Sequence, residues 1–338
     1  MFTNPFIIAE LCCNHGGDLS VALKLIEQAK RCGVSAVKLQ KRDNKSLFTD
    51  EFYNKPYENP NSFGATYGQH REALEFNEEQ YSILKQYAEA LGLVFFATPF
   101  DFASVEFLER VGVQLYKIAS SDCDNIPLIK RVLQTGKPAI VSTGAASWED
   151  IDRVYSLLQQ FPGKHALLHC VAQYPVKPEN VNLMAISAMK ARYPDAHIGF
   201  SDHYNGICMS EAALMAGATI FEKHFTLDHT MKGTDHALSL EPQGMQSLVQ
   251  NLHRIKVAHG DGNKVVRDFE VPAKEKLGKS VYAKKFIAKG AVVSADDFCI
   301  KSPAGGLSPA KLEELEGATV KFDICPASPI KEGDYDRK

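Results

Sequence analysis

The first 226 residues alternate between two textures. Eight short, nearly unbroken apolar runs lie at 6–11, 36–41, 93–100, 115–120, 138–144, 165–175, 197–203 and 219–226. Runs of this kind, without strict alternation, read as parallel strands buried on both faces. Between them the apolar residues recur at helical spacing. Residues 19–33 carry Val21, Leu25, Ala29 and Cys32 on one stripe, and Gly33 ends it. A second helix starts behind the cap residue Asn77 and stops at Gly92. The segments 101–112, 147–161, 206–218 and 241–260 follow the same logic. Eight strand–helix units in about 260 residues predict an α/β protein, a (β/α)8 TIM barrel. A doubly wound open sheet is the rival, but no GxGxxG follows the first strand.

The pattern changes after Gly262. Residues 263–278 read as a linker after a barrel domain spanning 1–262, and 279–338 read as a small β-rich domain with turns at Lys289-Gly290 and Ser302-Pro303. A domain of that size is marginal on surface-to-volume grounds, so it is expected to pack on something. The loop after the second strand, 42–76, is long, aromatic and basic, which predicts a functional loop rather than disorder.

Composition narrows the class. The chain has 338 residues and a net charge of -3, which implies no nucleic-acid surface. Its eight cysteines are scattered with no CxxC, which suits a reducing compartment. The first residues lack a basic signal-peptide start, and no run reaches the ~18 apolar residues of a membrane helix. A soluble cytoplasmic protein with no membrane partner is expected.

In a barrel, chemistry gathers at the C-terminal ends of the strands. Those ends carry Glu10, Lys38, Gln40, Thr98, Lys117, Ser120, Ser142, Tyr174, Ser201, His203 and His224. A purely structural barrel would put apolar or small residues there. Buried lysines, a glutamate and histidines are costly without ligands to compensate them. His203 and His224 end neighbouring strands, close enough to share one cation, and two imidazoles plus oxygens suit octahedral manganese or magnesium. The plainer reading is that each only hydrogen-bonds in the barrel mouth. Lys38 and Lys117 among hydroxyls favour an anion clamp over a Schiff-base nucleophile or a structural ion pair. Glu10 fits a general base, a partner of metal-bound water, or a lysine's structural partner.

The segments "FIIAELCCNHGGD", "YKIASSD", "IVSTG", "HCVAQYP", "IGFSDH" and "EKHFTLDHTMKGTDH", in this order, resemble the sialic acid synthases (the N-acetylneuraminate synthase family). "KLGKSVYAKKFIAKG" resembles the start of their C-terminal antifreeze-like, or SAF, domain. The resemblance implies condensation of phosphoenolpyruvate with an open-chain N-acetylmannosamine-type aldehyde, or its 6-phosphate, to a nonulosonic acid. It implies a divalent ion, Mn2+ or Mg2+, on His203 and His224. Phosphoenolpyruvate falls to Lys38, Lys117, Ser120, Ser142 and Ser201, and Glu10, Gln40, Asp122, Tyr174 and Asp235 face sugar or metal. It also implies a domain-swapped homodimer in which one SAF domain caps the partner's site.

Several positions depart from the pattern. Ser302 stands where many bacterial members have an arginine that reaches the N-acetyl group, and Ala172 replaces a common asparagine. The SSD with Asp122 and the inserted 55–76 segment resemble animal-type enzymes, which accept 6-phosphorylated sugars; Lys55, His70 and Arg71 are the candidate phosphate holders. The alternatives are a synthase of KDN, legionaminic or pseudaminic acid, a Schiff-base barrel aldolase, and a non-enzymatic SAF-type ice binder.

Overall fold

The computed structural model describes residues 2 and 4–337. All eight apolar runs are strands: β1 (Phe6–Cys12), β2 (Ala36–Lys41), β3 (Val94–Pro99), β4 (Tyr116–Ile118), β5 (Ala139–Ser142), β6 (Ala166–Cys170), β7 (His197–Asp202) and β8 (Ile220–His224). They pair in parallel and in chain order, and β8 returns to β1 to close the barrel. The predicted TIM barrel is the fold.

Alternation along each strand sorts side chains into two cores. Outward residues such as Ile7, Ala9, Val37, Phe95, Val141 and Phe221 pack against the helices. Inward Phe6, Ile8, Ala36, Phe96, Leu115, Ile140, Leu168 and Ile220 plug the N-terminal half of the barrel. Two residues further along the same strands the inward positions turn polar: Glu10 follows Ile8, Lys38 follows Ala36, Thr98 follows Phe96, Lys117 follows Leu115, Ser142 follows Ile140, and Glu222 follows Ile220. An apolar plug therefore carries a charged floor. Gly199 on β7 faces this interior because a Cβ there would meet the Ile220 carbonyl oxygen and Leu168 at 2.5 Å.

The helices obey the sequence signals with one correction. In helix Leu19–Cys32, capped by Asp18 and ended by Gly33 at φ 86°, the buried face is Ala22, Leu25, Ile26, Ala29 and Cys32, and Val21 is only half-buried. A helix packed against a barrel buries two adjacent rows, here 22–26–29 and 25–29–32, rather than a single stripe. Helix Glu78–Ala90 starts at Asn77 in a reciprocal capping box with Gln80.

Behind the barrel wall, Lys223 and Asp202 form an ion pair at 3.0 Å with side chains 1% and 0% exposed. Asp202 also accepts from Ser210 Oγ and the Tyr204 amide. Lys223→Met keeps the volume but leaves this carboxylate without its cation. It is expected to cost about 3 kcal/mol of stability, read by urea unfolding. A loss indistinguishable from zero would mean the two hydrogen-bond donors suffice.

The chain divides into compact units 1–260 and 261–338. In the second, β9 (Ser280–Ala283) pairs antiparallel with β10 (Phe298–Lys301) around a core of Val281, Ile287, Val293, Phe298, Leu315 and Ile330. The predicted linker carries a short helix, Val271–Leu277, with Phe269 and Leu277 exposed beside and within it. Among the described residues, no helix is long and apolar enough to cross a membrane.

Candidate active site

The C-terminal mouth of the barrel opens into a cavity of about 650 Å³. Its floor is an ion lattice. Lys38 pairs with Glu10, donates to Thr98 Oγ1 at 3.0 Å, and lies 3.9 Å from Glu222. Lys117 donates to Ser142 Oγ at 2.6 Å and the Ile118 carbonyl at 3.0 Å, and lies 3.8 Å from Glu222. Ser201 Oγ donates to Glu222 Oε1 at 3.0 Å. Within the protein, two buried glutamates already stand against the two buried lysines. Glu222 was the missing member. Its signal is parity, since it shares the inward face of β8 with His224.

The environment sets the charges of this lattice. Burial pushes Glu222 up, but Lys117 and Lys38 outweigh it and bring it down to about 2. Burial pushes Lys38 down, yet Glu10 and Glu222 leave it raised overall. Lys117 is lowered, chiefly by burial, with Glu222 opposing. Glu10 is raised by burial despite Lys38.

Above the floor, Gln40 bridges outward. Its amide donates to Glu10 Oε1 at 3.3 Å and its oxygen accepts from Arg42 at 2.6 Å. The Arg42 guanidinium lies 3.8 Å over the Phe100 ring. Arg71 is fixed by Tyr67 Oη, which accepts from Nε at 3.1 Å and Nη2 at 3.0 Å. Both arginines line the cavity. Of the three candidate phosphate holders, Arg71 alone does so. Lys55 is exposed away from it, and His70 is buried with Nδ1 accepting from the Phe63 amide. On the opposite wall, Ser120 Oγ accepts from the Gly144 amide at 3.0 Å.

One corner gathers soft and hard donors. The donor atoms of Cys12, His224 and Asp235 lie within 4.8 Å of one another. His224 Nδ1 is buried and has no partner, and burial lowers the imidazole's pKa despite Asp235 nearby. The His203 ring lies 5.6 Å from that of His224, beneath Tyr174 at 4.0 Å, with Nδ1 2.9 Å from the Val171 carbonyl. Cys12 has φ 46°, where β1 slips register against β2. That conformation costs an L-residue roughly 1–2 kcal/mol.

Besides Lys55 and His70, the one donor-, sugar- or metal-facing residue read from the sequence that lies outside the cavity lining is Asp122, whose carboxylate accepts from Asn125 at 2.9 Å and Ser121 at 3.3 Å. Sequence reading passed over Glu222, Cys12, Arg42 and Asp150, which also line it.

Next to this corner, His15 is stacked on Phe76 at 4.3 Å and accepts the Gly17 amide on Nδ1. Burial holds its pKa at about 4, below the usual 6.5. The unfolded chain therefore binds the extra proton first as pH falls. Stability from this group is whole above pH ~6.5 and is lost toward pH 4, by about 3 kcal/mol in total. His15→Asn, which keeps an acceptor, is expected to flatten that part of the unfolding free energy against pH. An unchanged slope would assign the acid lability elsewhere.

A family model described as the NeuB family matches residues 25–264, and one described as the SAF domain matches residues 278–335. The N-acetylneuraminate-9-phosphate synthase of Homo sapiens is 38% identical over 320 residues, covering 94% of this chain and 89% of that protein. The N,N'-diacetyllegionaminic acid synthase of Campylobacter jejuni is 36% identical over 315 residues, covering 92% and 94%. A crystal structure of N-acetylneuraminic acid (sialic acid) synthetase from Leptospira borgpetersenii in complex with citrate superposes with TM-score 0.71 at 34% identity, covering 80% of this chain and 90% of that one. With the order of motifs, the closed barrel and the charged floor, these matches establish that the chain belongs to the NeuB family and carries a C-terminal SAF domain.

Proposed function

We propose that this chain condenses phosphoenolpyruvate with the open-chain aldehyde of a 6-phosphorylated N-acylmannosamine, forming a nonulosonic acid 9-phosphate and inorganic phosphate. The observation that carries the reading is the charged floor beneath two cavity-lining arginines. Phosphoenolpyruvate brings a carboxylate and a phosphate. Lys38 and Lys117 supply fixed cations, and Thr98, Ser120, Ser142 and Ser201 add hydroxyls within the same cavity. Glu10 and Glu222 hold the lysines in place before the ligand arrives. C3 of the enol attacks the aldehyde carbon, and the aldehyde oxygen takes a proton. Water adds at C2, giving up a proton to a base for which Glu10 is the buried candidate, and the tetrahedral carbon then expels phosphate by C–O cleavage. Lysine here is a clamp, and no Schiff base is needed.

A divalent metal fits the mouth, because His224 presents an unpartnered buried nitrogen beside His203. When bound there it supplies Lewis-acid polarisation of the aldehyde oxygen. The phosphorylated acceptor is supported by the animal relatives, whose names specify a 9-phosphate. The donor's three carbons become C1 to C3 of the product, so an acceptor's C6 becomes C9. Arg71 is the phosphate contact we assign. Assembly as a homodimer whose SAF domain caps the partner's barrel, in the cytoplasm, completes the reading.

The test is phosphate release from phosphoenolpyruvate across N-acetylmannosamine, its 6-phosphate, mannose 6-phosphate and diacetylated legionaminic-type precursors. The 6-phosphate is expected to give the highest kcat/KM, with Arg71→Met raising its KM and sparing the unphosphorylated sugar. Equal kcat/KM with and without the 6-phosphate would remove that specificity, and no release with any sugar would remove the condensation itself.

A further inference from the structure

We propose that Cys12 is a direct ligand of the mouth metal, so that this site selects a thiophilic divalent ion of the zinc or cobalt class over manganese or magnesium. The inference rests on the metal reading above and sharpens it.

Three observations converge. The thiol is buried at 4% exposure, and its sulfur lies 2.7 Å from Asp235 Oδ2, in a corner where the donor atoms of Cys12, His224 and Asp235 fall within 4.8 Å. An ion with bonds of about 2.0–2.3 Å spans such a group with small side-chain adjustments. His224, only 8% exposed, gives one ring nitrogen to this corner, and its buried Nδ1 has no hydrogen-bond partner. A buried imidazole nitrogen left bare is uncommon unless a ligand completes it. The backbone supplies the third. β1 slips register between Glu10 and Cys12, and Cys12 holds a left-handed φ of 46° that few side chains adopt. Strain kept at the rim of a site marks a position that the surrounding structure enforces.

The donor set then decides the class of ion. Cys12, His224 and Asp235 bring one sulfur, one nitrogen and one oxygen, and with His203 as a fourth donor a substrate oxygen would enter as the fifth ligand that catalytic zinc accepts. Magnesium and manganese favour oxygen donors, whereas a thiolate favours zinc and its neighbours. Binding removes the thiol proton to solvent and frees Asp235 Oδ2 from its contact with the sulfur. One proton leaves the protein for each ion bound.

Cobalt(II) reports this directly. Metal-free full-length protein titrated with Co2+ is expected to develop visible d–d bands together with a near-ultraviolet thiolate-to-cobalt charge-transfer band. Cys12→Gly and Cys12→Ser should lose the charge-transfer band while Cys13→Ser keeps it. In competition titrations Zn2+ should bind the Cys12 variants at least about tenfold more weakly. Glycine suits the left-handed backbone, so Cys12→Gly is expected to remain folded. Visible bands without charge transfer in the unaltered protein, or unchanged zinc affinity in both Cys12 variants, would overturn the ligand assignment and leave the metal reading standing. No Co2+ or Zn2+ binding to the unaltered protein would overturn both.

Discussion

Lys117→Met is expected to lower kcat/KM for phosphoenolpyruvate about a thousandfold, roughly 4 kcal/mol of transition-state binding. The side chain keeps its length and loses its charge. The donor anion then forfeits one of the two cations in the floor. Its replacement is not neutral for the apo protein either. Glu222 would be left with Lys38 at 3.9 Å and Ser201 at 3.0 Å as its remaining compensation. A buried carboxylate in that position costs stability of its own, about 3 kcal/mol or more. The two effects separate in a double variant. Lys117→Met with Glu222→Gln removes both charges, so stability should recover toward the starting value while the phosphoenolpyruvate KM stays high. Recovery of both would make Lys117 a structural counter-ion to Glu222 and nothing more. A covalent adduct trapped by borohydride on Lys117 would instead revive the Schiff-base reading, which its lowered pKa alone does not support, because its protons are engaged by Ser142 and the Ile118 carbonyl.

The barrel was readable because parallel strands covered on both faces leave long apolar runs, and each of those runs became a strand. Strand ends were readable for the same reason, as the first polar residue after an apolar run lies at the mouth. What escaped was pairing. Glu222 is embedded inside an apolar run, and only its inward parity with His224, two residues on, marks it as part of the floor. Lys223, between them, points the opposite way into a separate buried pair with Asp202. Residues on loops were harder still. Asp122 matches a motif, yet its neighbours Ser121 and Asn125 occupy its oxygens. Arg71 and His70 are adjacent in sequence, but the turn of helix Tyr67–Glu72 sends one to the cavity and the other to the Phe63 amide. Cys12 gave no signal at all, because a thiol at the end of an apolar strand reads as core until the backbone slips.

His224→Ala is expected to abolish nearly all turnover, a loss of about a thousandfold or more, while costing little stability. The asymmetry is the informative part. Most buried histidines are held by hydrogen bonds whose loss destabilises the fold by ~1–3 kcal/mol. His224 Nδ1 has no such bond to lose, so the expected penalty comes from the emptied volume beside His203 and Asp235. Metal content after dialysis should fall together with turnover. His203→Ala should behave alike if both rings hold the ion, but its Nδ1 contact to the Val171 carbonyl adds a structural cost that His224 does not carry. A His224→Ala protein that unfolds in proportion to its lost activity would point to a packing role. One that keeps its metal and its turnover would move the ion's site away from this ring, and the polarised aldehyde with it.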